Sequence, residues 1–206
     1  MNRLYNMAKM DLKINKIVKY LILSDAVFYS AMGMVNPIIA VFFTDHIADG
    51  SLAVAGIASS IYFVISGILQ IPFALLMDKV KGEVDDYWFM LGGCILMSLT
   101  LFLYIFASTS WHIYLIQALS AIGYSLAYPA WTAIFSRHLD KGKEGFEWSV
   151  YNTLISFGSA LAAGVGAYVA DQYGFQALFF VVGCVTLVSN LLLLAIFETL
   201  FQAKTT

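Results

Sequence analysis

The stretch Ala74-Leu75-Leu76-Met77-Asp78-Lys79-Val80-Lys81-Gly82 ends a long apolar run and turns it with an acid, two lysines and a glycine. A second stretch, Ala167-Tyr168-Val169-Ala170-Asp171-Gln172-Tyr173-Gly174, ends a later apolar run in the same way. Each reads as a small residue, three intervening residues, Asp, and then a tight turn containing Gly. Outward from these two corners the chain is a series of apolar stretches, at 17–43, 52–76, 87–108, 111–135, 148–170 and 175–198. Each is long enough to cross a hydrocarbon core of roughly 30 Å as a helix.

Composition agrees with that division. Hydrophobic residues make up 61% of the chain and charged residues 12%, with a mean hydropathy of +0.81. An ordinary globular domain carries roughly 25% charged residues. The expected fold is therefore an all-α membrane protein, a six-transmembrane-helix bundle over 17–200 with short tails at 1–16 and 201–206. Nothing is left over for a soluble catalytic domain, so the chain reads as no enzyme. The tail at 1–16 alternates apolar residues with lysines and suits anionic headgroups. The first helix runs past signal-peptide length and has no small-residue cleavage pattern, so it reads as a retained span.

Orientation follows from the cations. Arg3, Lys9, Lys13, Lys16 and Lys19 precede or open the first span. Lys79 and Lys81 follow the second, Arg137, Lys141 and Lys143 the fourth, and Lys204 the sixth, which completes the 11 Lys and Arg. The alternate loops at 45–51, 108–110 and 171–174 hold none. Short loops keep Lys and Arg on the cytoplasmic side, so a multi-pass protein of the cell (inner) membrane with both termini cytoplasmic is expected. That result requires an even number of spans. Cys94 and Cys184 fall inside spans and read as small buried residues, not as a disulfide or metal pair. No metal, cofactor or nucleic-acid site is expected.

The two Asp-Gly corners close the second and fifth spans. The first and fourth spans each carry a Gly and then a Pro, Gly33 with Pro37 and Gly123 with Pro129. Three helices is an odd number, so two such units in series have opposite topology. Inverted repeats with helix breakers at matching positions are a mark of secondary transporters. These residues resemble the N-terminal six-helix half of the major facilitator superfamily. Asp78-Lys79 looks like that family's loop signature in degenerate form, with Ala74 at the first Gly position and Gly82 one place late. Trp111, Gln117, Gly123 and Pro129-Ala130-Trp131 follow its fourth-helix pattern, and Gly166 through Gly174 with Phe175 and Phe179 its fifth-to-sixth-helix corner. Two departures are visible. Gln117 stands where the family often has an Arg linked to proton coupling, and Ala162-Ala163 where antiporters carry Gly-Pro.

Asp25 is the one acid well inside a span, roughly 10 Å into its helix at about 1.5 Å per residue. A carboxylate there costs about 2.5–3.5 kcal/mol even on insertion scales, so such acids usually face a cavity and do work. Asp25, Tyr29, Gly33 and Asn36 share one helix face. Gln117, Tyr124, Tyr128 and Trp131 form a second stripe, whereas the third and sixth spans are almost wholly apolar. The resemblance implies that helices one and four line a substrate cavity and that helices two and five meet another half. It also implies a gating loop at Asp78 and Lys79. Ser66, Gln70, Asn152, Gly158 and Gly164 are then interface residues, and Asp25 the proton- or cation-coupling group.

The expected function is secondary active transport of a small solute, cationic or amphipathic, since no Arg or Lys lies in a cavity-facing stripe. It is expected to be proton-coupled through Asp25. Family members normally carry twelve helices, so a homodimer, or a second six-helix half, completes the carrier by alternating access. The alternative is a non-transporting membrane scaffold or assembly subunit, which has no need of an intramembrane acid. No Gly-rich phosphate loop points to ATP. A rhomboid-type protease needs a sixth-helix His, absent from 175–198, and a water channel needs two Asn-Pro-Ala half-helices.

Overall fold

The structure is a computed structural model that describes residues 13–79 and 82–202. Arg3, Lys9, Lys81 and Lys204, with most of both tails, lie outside the described residues. Among the described residues, six α-helices follow one another: α1 Lys16–Val35, α2 Ile39–Asp45, α3 Leu52–Lys79, α4 Val84–Leu103, α5 Ser110–His138 and α6 Glu144–Gln202. A 3₁₀ turn, Tyr104–Phe106, extends α4. Among the described residues, four stretches are long and apolar enough to cross a membrane by length and composition: Lys16–Asp45, Leu52–Lys79, Val84–Phe106 and Glu144–Phe197.

Two of the elements divide differently from the apolar runs. The run at 17–43 is split at Pro37, which has no N–H to give. The ladder restarts through Ile38 N–H to Val35 C=O at 3.0 Å and Val41 N–H to Ile38 C=O at 3.0 Å. Pro129, its counterpart in the repeat pattern, leaves α5 unbroken. Conversely, α6 is broken by one residue. Gly174 has φ 84° and ψ 164°, a conformation essentially confined to glycine, and divides α6 into arms at 144–173 and 175–202. Gly82, after α3, also has positive φ, so both Asp-Gly corners turn on a left-handed glycine. Gly174→Ala is expected to cost about 1–3 kcal/mol, read as a lower melting temperature in detergent, with Gly164→Ala as an unstrained control.

Contacts between helices set their directions. Asp25 meets Tyr151, Gly33 meets Ser159 and Gly166 meets Met34, so α1 and the first arm of α6 run parallel. Phe42 meets Phe175, and Ser24 meets Ser189, so the second arm runs back. In the same way α4 opposes α5, through Gly93 against Gly123 and Thr100 against Ser120, while α3 runs with α5. Successive long segments therefore alternate in direction.

Two apolar clusters close the ends of the bundle. One holds Leu21, Tyr87, Met90, Ile134, Phe135 and Ile196, and the other Phe42, Phe43, Tyr104, Ile113, Phe175 and Phe179. The first end carries the described cations. There Arg137 donates to Asp86 in the first turn of α4, with Glu83 at 4.0 Å, and His138 lies 3.5 Å from Glu83. At the other end the Asp49 carboxylate accepts from the Ser110 backbone N–H at 2.8 Å and from its hydroxyl at 2.5 Å. These bonds hold the Asp49 carboxyl below its ordinary range, and they fix the 45–51 loop to the start of α5. Between the clusters the interior turns polar.

Candidate functional site

Asp25 projects from the middle of α1 toward the first arm of α6, where the Tyr151 hydroxyl donates to its Oδ2 at 3.1 Å. That arm comes close because small residues face α1. A Cβ on Gly158 would strike the Ser30 hydroxyl, and one on Gly166 the Met34 backbone. Ser159 donates to the Tyr29 carbonyl at 3.1 Å. Backbone proximity of this kind is how small residues join membrane helices.

The carboxylate opens on a compartment of about 30 Å³. Its walls include Tyr29, Tyr124, Tyr128, Trp131 and Tyr151, with Ser24, Cys94 and Asn190. Trp131 stacks on Phe135 at 4.6 Å between ring centroids and lies 5.0 Å from Tyr151. Tyr124 stacks on Tyr128 at 5.1 Å. A larger cavity of about 290 Å³ adjoins it, sharing Phe28, Tyr29, Met97 and Tyr124 as walls. Its polar lining includes Asn36, Ser59, Tyr62, Thr100, Gln117 and Ser120. That size approaches the roughly 300–1,000 Å³ of small-molecule sites. Among the described residues, neither compartment has Lys, Arg, His or a second acid in its wall, so Asp25 is their single charged group in the site.

The structure thus brings Asp25, Tyr29, Asn36, Gln117, Tyr124, Tyr128 and Trp131 to two adjoining compartments. Gly33 is elsewhere. It packs against Ser159, where a Cβ would lie 2.7 Å from the Ser159 Cα, so it serves helix contact and does not line the cavity. Asp78 and Lys79 are exposed at the end of α3, and Asp78 is in electrostatic reach of the Arg137 and Asp86 pair. Of the expected interface residues, Asn152 and Gly164 are exposed and Gln70 lines a surface groove beside Tyr128. Ser66 and Gly158 point inward. Ser66 is buried, with its carbonyl facing the Ser125 hydroxyl at 3.4 Å, and Gly158 is covered by Ser30.

Tyr151, Cys94 and Ser24 carry no sequence signal that selects them. Tyr151 is one residue from Asn152, and only the rotation of α6 about its axis decides which of the two faces Asp25. On the second arm Thr186, Ser189 and Asn190 are buried. Asn190 donates to the Ser98 hydroxyl at 3.2 Å, and the Ser24 hydroxyl donates to the Ser189 carbonyl at 3.0 Å. The apolar third and sixth spans therefore turn a polar seam toward α1. An i, i+3, i+4 grouping of Thr186, Ser189 and Asn190 is the signal that could have located it.

A helical bundle with several membrane-length apolar segments and one charged group facing an interior cavity defines a multi-pass membrane protein. A profile of the Major Facilitator Superfamily matches residues 21–205. The chain belongs to that family of secondary transporters. It is also 24% identical over 96 residues to the proton-coupled antiporter flippase LtaA of Staphylococcus saprophyticus. The match takes in 47% of this chain and 24% of that protein, so it spans about a quarter of the relative's length.

Proposed function

We propose that this chain forms one six-helix unit of a proton-coupled secondary transporter whose solute is small and cationic or amphipathic. The observation that carries the reading is the Asp25 carboxylate, without a cation in either compartment wall, beside a cavity of about 290 Å³. An acid placed inside a span is costly and is kept where it moves charge. The tyrosine faces in the larger cavity, Tyr29, Tyr62, Tyr104 and Tyr124, suit a cation or the flat part of an amphiphile. The relative named as a proton-coupled flippase supports the amphipathic class and the coupling ion.

The pairing of helices supports two inverted triplets. An axis in the membrane plane that exchanges the two triplets carries the α1 contact with the first arm of α6 onto the α5 contact with α3. It likewise carries the α4 and α5 contact onto that of the second arm with α1. Both termini then lie on the cationic, cytoplasmic side of the inner membrane. Alternating access proceeds by rocking this unit against a second one around the site, and a second copy with parallel orientation supplies that partner by two-fold symmetry. The faces of α3 and the first arm of α6 fit such a contact. Phe63, Ile71, Phe157 and Leu161 are exposed on them, and Gly67 and Gly164 meet no neighbouring atom.

Cysteines introduced by Gly67→Cys and Gly164→Cys, on a Cys94→Ser, Cys184→Ser background, are expected to crosslink two copies in native membranes. Monomer alone on the gel, across both positions and their neighbours on the same faces, removes the homodimer. Gly158→Cys serves as the buried control, since Ser30 covers it.

A further inference from the structure

We infer that the Asp25 compartment is a water site separate from the solute cavity, with Tyr29 and Tyr124 as the partition between them. This rests on the reading of Asp25 as the proton-exchanging group. Volume is the first argument. About 30 Å³ at Asp25 admits roughly two water molecules and no organic cation, whereas the adjoining cavity holds about 290 Å³. The second argument is independent of volume. Trp131, which lines the compartment and is 6% exposed, carries an indole N–H that is buried and has no hydrogen-bond partner among the described residues. An indole N–H can only donate, and leaving it unpaired in the interior costs about 1–3 kcal/mol. A water oxygen satisfies it, and the same water donates to the carboxylate, which already accepts from Tyr151.

Polar partners for such a water are all present: Asp25 as acceptor, Trp131 as donor, and the Tyr29 and Tyr128 hydroxyls as either. Proton exchange then needs no solute contact. The carboxylic O–H bond of Asp25 breaks, its proton forms an O–H bond on the water to give hydronium, and the carboxylate keeps the electron pair. The solute meets the neutral groups Asn36, Gln117 and Ser120 on the far side of Tyr29. Coupling passes through the position of the Tyr29 and Tyr124 rings, since each is a wall of both compartments. Both are therefore positioning residues.

Cys94 is a native reporter in the small compartment, and Cys184 is the one other cysteine of the chain. In the purified Cys184→Ser protein, N-ethylmaleimide is expected to alkylate Cys94 at least about tenfold slower than the thiol introduced by Gln117→Cys on the cysteine-free background. Tyr29→Ala, or Tyr124→Ala where the first does not fold, raises the Cys94 rate toward that of the cavity thiol. In infrared spectra at acid pH, the carboxyl band lost in Asp25→Asn is expected to move to lower wavenumber in D₂O, because water reaches it. Equal alkylation of the two thiols with Tyr29 and Tyr124 both intact, or a carboxyl band that ignores D₂O, overturns the inference. Neither readout uses a transported solute, so a failed transport assay strikes the functional proposal and leaves this result standing.

Discussion

Asp25→Asn is expected to abolish solute accumulation driven by a proton gradient in proteoliposomes, by about 10²-fold or more, while exchange of the same solute across equal pH persists. The reasoning starts from the geometry. Asparagine keeps the shape of the side chain and still accepts from the Tyr151 hydroxyl, which sits 3.1 Å from Oδ2 in the native site. The packing of α1 on the first arm of α6 through Gly158, Ser159 and Gly166 does not touch the carboxylate. What asparagine cannot do is lose and regain a proton, and neither compartment wall contains another acid. The variant therefore separates binding from coupling. Accumulation that continues at the native rate, with the same dependence on pH, would take Asp25 out of the mechanism. Tyr151→Phe is the milder companion: it removes the donor, leaves the ring beside Trp131 and alters the pH profile without ending transport.

A large structural effect is expected at Gly93. An added Cβ would lie 2.6 Å from the Ala127 backbone nitrogen and also press on the Gly123 carbonyl, so two main chains, not two movable side chains, are in the way. Gly123 is the reciprocal half of the contact, where a Cβ would lie 3.0 Å from the Gly93 carbonyl oxygen and 2.9 Å from Met97 Cγ. Gly93→Val must push α4 from α5, which also pulls Met97 and Cys94 from the wall of the Asp25 compartment. Overpacking usually costs 1–3 kcal/mol and more when backbone has to move, so a loss of about 3 kcal/mol or more is expected. Folded protein in detergent should largely disappear. Gly92→Val is the control one residue away, where a Cβ meets nothing within 4 Å. Equal stability of the two variants would show that α4 and α5 are not held by this contact.

Much of the architecture is open to a reader of the chain because lipid imposes a simple rule. Backbone groups in hydrocarbon must pair within their own segment, so an apolar run of membrane length can only be a helix, and family membership follows from its corners and glycines. The Asp25 reading rests on the same rule, since a lone acid in such a run calls for a cavity. Helix breaks are less legible. Pro37 and Pro129 each follow a Gly late in an apolar span, yet only the first divides its helix. Propensity alone does not separate them, because neighbouring helices decide whether the freed carbonyl is compensated.

Rotation of each helix about its own axis is the quantity that local sequence leaves open. The stripe at Asn152 and the stripe at Tyr151 are both consistent with a helix of 3.6 residues per turn, and Gly33 sits on the same face of α1 as Asp25. The amino-acid order by itself determined an all-helical, membrane-embedded chain of this family with one acid in its interior. Only the tertiary structure decided that Tyr151 holds that acid, that Gly33 and Gly158 are spent on helix contact, and that Tyr29 and Tyr124 line both compartments. The physical reason is that hydropathy is a property of single segments, whereas a cavity wall exists only where the faces of α1, α3, α4, α5 and α6 meet.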